Sequence, residues 1–196
     1  FATADKDHLG GIQTVSVNDT YIDYLAQDFN ENYASGRKLK IVWDAGNGAA
    51  GEVMEKLAAK IPGEHILLNA EIDGTFPNHH PDPTVPENME QLIDAVKANN
   101  CDIGVAFDGD GDRVGIVDDK GNMLQGDQLL VLFTEEVLKD HPNATVIADV
   151  KASKVFFDEA NKIGANPLMW CTGHSLIKKK MLEEDAILAG EMSGHM

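Results

Sequence analysis

Apolar residues along this chain follow two rhythms. Short apolar runs such as Lys40-Ile-Val-Trp43, Asp102-Ile-Gly-Val-Ala-Phe107 and Val114-Gly-Ile-Val-Asp118 predict strands. Behind Pro86, Met89, Leu92, Ile93 and Val96 recur at i, i+3, i+4 and i+7, which predicts a helix opened by that proline. Taken in order, Thr14–Val17 is expected as a strand. Asn18 or Asp19 is then expected to cap a helix to about Tyr33, with Tyr21, Leu25 and Phe29 on one face. A linker over residues 34–38 leads into strand 40–43 and a helix whose Val53, Met54, Leu57 and Ala58 share a face. Strand 65–71, an irregular proline-rich stretch over 73–83, the Pro86 helix and the two strands above come next. Asp127 is expected to cap an apolar helix to about Lys139, and His141-Pro142-Asn143 reads as a break. Beyond it the cycle restarts with strand 145–149 and a helix from Ser153 carrying Val155, Phe156 and Ile163. Strand 167–170, a basic helix over 174–181 and strand 186–189 complete it. Alternating strands and helices predict an α/β sheet in each unit. The chain stops at residues 190–196, directly after a strand, where α/β sheets gather ligands, so a fragment is expected.

Between two of the predicted strands lies Asp108-Gly-Asp-Gly-Asp-Arg113. Carboxylates at alternate positions, separated by glycines that leave the backbone free to curl, can surround a hard cation. Oxygen ligands suit Mg²⁺ or Ca²⁺ and not zinc, which prefers nitrogen or sulfur. An EF-hand loop needs glycine at its sixth position and glutamate at its twelfth. Here those positions hold Arg113 and Asp119, and the flanks are strand-like, so that motif is excluded. A solvated acidic hairpin tip is the plainer alternative, and three carboxylates in series followed by arginine argue against it.

Gly46, Gly48 and Gly51 match the G-x-G-x-x-G spacing between a predicted strand and helix. One reading places a pyrophosphate on the helix N-terminus, with Glu71 or Asp73 on a ribose; the other is a tight βα turn whose glycines permit close packing. His79 and His80 are adjacent, so an extended chain points them apart, and they are expected as loop or interface residues. Composition narrows the partners: 43% apolar and 25% charged residues fit a globular protein, and a net charge of −17 opposes nucleic acid and anionic membranes. Any anionic substrate must therefore be captured by local positive groups. No apolar run is long enough to span a bilayer, and Cys101 and Cys171 lack metal-ligand spacing, so a reduced, cytoplasmic protein is expected.

Four segments in one order carry a resemblance. They are Phe76-Pro-Asn-His-His-Pro-Asp-Pro83, Asp108-Gly-Asp-Gly-Asp-Arg113, Trp170-Cys-Thr-Gly-His-Ser-Leu-Ile-Lys178 and Gly190-Glu-Met-Ser-Gly-His195. From about residue 14 onward the chain resembles the α-D-phosphohexomutase family, of the bacterial phosphomannomutase/phosphoglucomutase type. The resemblance implies two consecutive mixed-sheet α/β domains, the second truncated: 1–37 as the tail of a preceding domain and linker, 38–141 with the metal loop, and 142–196 with a sugar-binding loop. It implies Mg²⁺ on Asp108, Asp110 and Asp112, and catalytic roles for Arg113 and Lys151. Lys151, His174, Glu191, Met192, Ser193, Gly194 and His195 would bind the sugar phosphate. It also makes the Asp44–Gly48 segment a structural turn. The implied reaction interconverts 1-phospho and 6-phospho hexoses through a phosphoserine and a bisphosphorylated sugar. Ser16, Ser35, Ser153, Ser175 and Ser193 all lack the family's phosphoserine context. The chain alone is therefore expected to bind without turnover, awaiting domains from elsewhere in its parent. Cys171 and Ala152 depart from the family's usual residues, and Met192 favours mannose or glucose phosphates over glucosamine phosphate.

Overall fold

The computed structural model describes residues 11–33 and 36–196. Helix α1 (Asn18–Asn32) precedes the first sheet, whose strands are β1 (Lys40–Asp44), β2 (Glu64–Leu68), β3 (Ile103–Phe107), β4 (Val114–Asp118) and β5 (Met123–Leu124). The order is β2-β1-β3-β4-β5; the first three run parallel, β4 is antiparallel to β3 and β5 is antiparallel to β4, giving a mixed sheet. Helices α2 (Ala50–Ala58) and α3 (Pro86–Asn99) make the crossovers. A second sheet follows α4 (Gly126–Asp140): β6 (Thr145–Asp149), β7 (Asn166–Trp170) and β8 (Leu188–Gly190), all parallel in the order β7-β6-β8. Its crossovers are α5 (Lys154–Lys162) and α6 (His174–Glu184). Each unit thus repeats a parallel 2-1-3 arrangement, and the loops after β3 and β8 occupy equivalent places.

The Pro86 periodicity becomes α3, with Met89, Leu92 and Val96 fully buried against Val42, Ala106 and Val117. Gly104 lets the helix settle, because a Cβ there would lie 2.8 Å from Val96 Cγ2. The helix ends at Asn100, which adopts the left-handed conformation that asparagine tolerates best after glycine.

Several expectations shift. Thr14–Val17 forms no strand, and α1 begins after Val17 without a side-chain cap. Its inward seam is Ile22, Leu25, Ala26 and Phe29, which also has i, i+3, i+4, i+7 spacing; Tyr21 stays exposed. Ala34 and Ser35 of the expected linker, and Phe1–Gly10, lie outside the described residues. Strand β2 ends at Leu68, not residue 71, because Asn69 turns left-handed at φ 51°. Val155 is exposed, and Phe156 and Ala160 are the buried positions of α5. Helix α4 starts from Gln125, whose N–H donates to Gln128 Oε1 at 2.8 Å. Asp127 instead is buried and accepts the Ser153 N–H at 2.8 Å, tying α4 to the start of α5.

That tie moves the expected domain break. Leu130 of α4 packs with Val146, Ala148, Phe156 and Ala160, so α4 is a layer of the second unit. The division falls between β5 and α4, about residue 125, and the His141-Pro142-Asn143 segment is a helix–strand turn inside the second unit. A proline after an apolar helix marks the end of a helix, which is a weaker signal than the end of a domain.

One packing contact offers a direct test of this core. A Cβ on Gly51 would lie 2.0 Å from the Ala70 carbonyl oxygen, and backbone cannot give way as a side chain can. Gly51→Ala is expected to cost about 1–3 kcal/mol in urea unfolding. Gly74→Ala, where nothing lies within 4 Å, should stay within about 0.5 kcal/mol of the parent.

Candidate functional site

Strand β3 ends in the core and delivers Asp108 to its carboxyl end with the residue 2% exposed. A buried carboxylate must be matched by donors. Asp108 Oδ1 accepts the backbone N–H groups of Gly111, Asp112 and Arg113, each at 3.0 Å, and Oδ2 accepts Arg113 Nε at 2.6 Å. The loop therefore winds around one carboxylate, and Gly111 permits the winding at φ +79°. Burial pushes the Asp108 carboxyl up, but the Arg113 side chain, backbone N–H and charge outweigh it and hold the group below the usual range.

The winding brings one oxygen each from Asp108, Asp110 and Asp112 within 4.8 Å of one another. Asp110 and Asp112 are exposed. The charges of Asp108 and then Asp112 push the Asp110 carboxyl above its ordinary value. An all-oxygen, triply acidic donor set fits a hard divalent cation, which would relieve that repulsion.

Arg113 is anchored on two sides. Besides Asp108, its Nη1 lies 3.3 Å from Asp82 Oδ1. Asp82 is itself fixed by the Thr84 N–H at 3.1 Å and the Thr84 hydroxyl at 2.7 Å. The sequence reading passed over Asp82 within the irregular stretch; its signal was an Asp two residues before a Thr, the spacing of a side-chain-capped turn.

The glycine turn after β1 is filled by protein. Gly46, Asn47, Gly48 and Ala49 donate their N–H groups to Asp44 Oδ1, Asn69 O, Ala45 O and Gly109 O respectively. A Cβ at Gly46 would lie 2.8 Å from Pro81 Cβ, and one at Gly48 would lie 2.7 Å from the Gly109 carbonyl. These glycines serve close packing beneath the acidic loop, and Asp73 is engaged by the Thr75 N–H and hydroxyl. His79 is not a free loop residue: its Nε2 sits 2.9 Å from buried Asp44 and its Nδ1 3.0 Å from the His80 carbonyl, while His80 is exposed.

The loop after β8 is seated from both units. Buried Glu191 accepts the Gly173 N–H at 2.6 Å, and the Met192 N–H reaches Asp149 Oδ1 at 3.4 Å. Gly194 O accepts the Val114 N–H at 3.2 Å, and a Cβ on Gly194 would lie 2.5 Å from Val114 O. His195 lies at the centre. Its Nδ1 is 2.9 Å from Ser193 Oγ and 3.1 Å from Glu191 Oε2, and its Nε2 is 3.0 Å from Asp112 Oδ2. The His174 ring stacks on it at 5.9 Å. A cavity of about 530 Å³ opens alongside, with Asp112, His174, Lys178, Glu191 and His195 on its polar side and Ile177, Met181 and Leu188 on its apolar side.

Asp112, His174, Glu191, Ser193, Gly194 and His195 therefore meet around one centre, with Asp108, Asp110 and Arg113 in the adjoining loop. Lys151 lies on the same end of the second sheet, just past β6, but is exposed and makes no ion pair among the described residues. Half-buried Met192 contributes its backbone to the Asp149 contact. Asp149, buried and also bonded to the Thr172 hydroxyl at 2.9 Å, went unnoticed in the sequence because an aspartate ending a strand carries no distinctive spacing. Lys178, on the basic helix expected over 174–181, also lines the cavity, a placement that only the fold shows.

Comparison with known proteins matches this division of the chain. Residues 19–121 match the family model for phosphoglucomutase/phosphomannomutase, alpha/beta/alpha domain II, and residues 125–196 match that for domain III. A phosphomannomutase/phosphoglucomutase of Pseudomonas syringae pv. tomato is 49% identical over 187 residues, covering 95% of this chain and 39% of the relative. A phosphoglucomutase of Neisseria gonorrhoeae is 41% identical over 196 residues, covering 100% of this chain and 41% of the relative. A crystal structure of a phosphoglucomutase/phosphomannomutase family protein from Burkholderia thailandensis superposes with a TM-score of 0.85 at 46% identity, covering 91% of this chain and 38% of that one. The chain spans about two fifths of the length of the curated relatives it matches. The chain belongs to the phosphoglucomutase/phosphomannomutase family.

Proposed function

We propose that this chain supplies the cation-binding and sugar-binding parts of a hexose phosphate mutase that moves a phosphoryl group between C1 and C6 of glucose or mannose. One observation carries the proposal: the acidic loop of the first unit and the Glu191–His195 loop of the second meet at the Asp112–His195 contact. A mutase needs that arrangement, because the phosphoryl group and the hexose must be held side by side.

Asp108, Asp110 and Asp112 would hold Mg²⁺, which when bound neutralises charge on the phosphoryl group being transferred. Phosphoryl transfer asks the protein mainly for position and electrostatics. Arg113, fixed by Asp108 and Asp82, retains guanidinium N–H groups for phosphoryl oxygens. Glu191 and Ser193 pair with sugar hydroxyls, while Lys151 and His174 stand beside the reacting sugar, Lys151 in a catalytic role. In the reaction a phosphoserine from another part of the protein gives its phosphoryl group to a sugar hydroxyl; the serine O–P bond breaks as the sugar O–P bond forms, and the hydroxyl proton ends on the freed serine oxygen. The bisphosphorylated sugar turns over and returns the other phosphoryl group to the serine.

The whole-protein partners proposed are hexose phosphates and the domains that carry the serine and complete the phosphate site. A cytoplasmic setting suits the two free cysteines, Cys101 and Cys171. No helix among the described residues is long and apolar enough to cross a membrane.

Three outcomes test this function. The 196-residue chain with Mg²⁺ and a hexose bisphosphate should not convert glucose 1-phosphate; turnover by a sample of confirmed mass would contradict the serine's proposed location. In the full-length protein Asp110→Asn should lower kcat by at least about a hundredfold, on the scale of losing a charge-stabilising group; wild-type rates would make the carboxylate structural.

Stability against pH provides the third. The folded-state value of Asp110 is raised, so its favourable contribution is present below the ordinary aspartate range and is lost as pH rises through the raised value. Without divalent ions, wild type and Asp110→Asn should unfold alike at low pH, and the variant should become the more stable above that window. Added Mg²⁺ should stabilise only the wild type in urea unfolding. Equal stability at every pH, with or without Mg²⁺, would count against a cation site.

A further inference from the structure

The two loops do more than lie near one another. Glu191, buried and fixed through Oε1 by the Gly173 N–H, places Oε2 3.1 Å from His195 Nδ1, and Ser193 Oγ lies 2.9 Å from the same nitrogen. His174 stacks on the ring face, with 26° between the planes. The imidazole is thus oriented by three side chains of its own unit. With the Ser193 hydroxyl donating to Nδ1, the remaining nitrogen, Nε2, carries the ring hydrogen and donates it across to the other unit, to Asp112 Oδ2 at 3.0 Å. Asp112 needs such a partner. Its side chain is 54% exposed, and it lacks the enclosing set of donors that Asp108 has.

From this geometry we infer that His195 is a positioning residue for Asp112: it holds a carboxylate of the cation loop in place from the sugar-binding loop, so that cation and hexose phosphate bind cooperatively. The inference rests on the proposed cation and sugar sites and adds a physical link between them. A carboxylate free to rotate must lose that freedom when it binds a cation, and a fixed N–H donor removes the cost beforehand. Linkage makes the effect reciprocal: a sugar phosphate that orders the Glu191–His195 loop tightens cation binding, and the cation tightens sugar binding by the same factor. The exposed aspartate is the one that gains from a partner, since the buried Asp108 is already fixed by its own loop.

The test uses Mn²⁺ as the probe, its affinity read by calorimetry and by the spin-resonance signal of the free ion, in four forms of the protein. His195→Phe keeps an aromatic ring over His174 and removes the donor, whereas His195→Gln keeps an N–H donor on the side chain. His195→Phe should weaken Mn²⁺ by about tenfold or more, the scale on which partners of metal ligands act. His195→Gln should restore most of that loss, within about threefold of wild type. Glucose 1-phosphate should tighten Mn²⁺ in wild type and His195→Gln and leave it unchanged in His195→Phe. Far-ultraviolet circular dichroism and the thermal midpoint establish that each form is folded, and equal weakening in Phe and Gln variants would overturn the donor role. Asp110→Asn distinguishes loss of the cation site from loss of the positioning contact. If Asp110→Asn abolishes Mn²⁺ binding while His195→Phe binds it like wild type, the positioning role falls and the cation site stands. If wild type and Asp110→Asn bind Mn²⁺ alike, the cation site falls and the positioning role with it.

Discussion

The structure of the site depends on one buried charge. Asp108 is carried to the end of β3 with almost no exposure to water, and a carboxylate there is tolerable only because four N–H donors converge on it. Three of those donors are backbone groups from Gly111, Asp112 and Arg113, so satisfying the charge dictates the path of the whole loop. That path turns Asp110 and Asp112 back toward Asp108, and it sets Arg113 against Asp82. The clustered negative charge is a consequence of the same loop. A cation would relieve repulsion that the fold itself creates.

The surroundings are built to keep that loop in place. The Gly46–Gly51 turn lies beneath it, with the Ala49 N–H on the Gly109 carbonyl, and Pro81 closes over Gly46. Glycine spacing that also suits a dinucleotide here lets three backbone segments approach one another. The second unit repeats the parallel arrangement, and its own loop after β8 arrives against Val114 and Asp112. A chain of net charge −17 repels anions at long range, so binding one depends on close, fixed groups. Arg113, Lys151, His174 and Lys178 are positively charged or chargeable groups on this face.

Much of this was legible in the residues. The i, i+3, i+4, i+7 pattern of α3 gave its buried face because the pattern is strong and Pro86 marks the start. The Asp-Gly-Asp-Gly-Asp-Arg run could be read as a loop because flanking apolar runs bound it. In α1 two apolar stripes compete, and tertiary contact with α2 selected Ile22 and Ala26 over Tyr21. The break at residues 141–143 was misplaced because helix ends are visible locally, whereas which sheet a helix covers depends on contacts such as Leu130 with Val146. Asp82, Asp149 and the Asp112–His195 contact were hidden for the same reason, since each joins residues far apart in sequence.

We propose that the aspartate loop and the Glu191–His195 loop form one site for a divalent cation and a hexose phosphate. Its most direct test is the anomalous-difference map of a crystal grown with Mn²⁺ and glucose 1-phosphate. One peak is expected among the carboxylates of Asp108, Asp110 and Asp112, with the sugar phosphate against Glu191 and Ser193. Manganese at another group such as Asp44 and His79, or a sugar phosphate bound away from the Glu191–His195 loop, would contradict it.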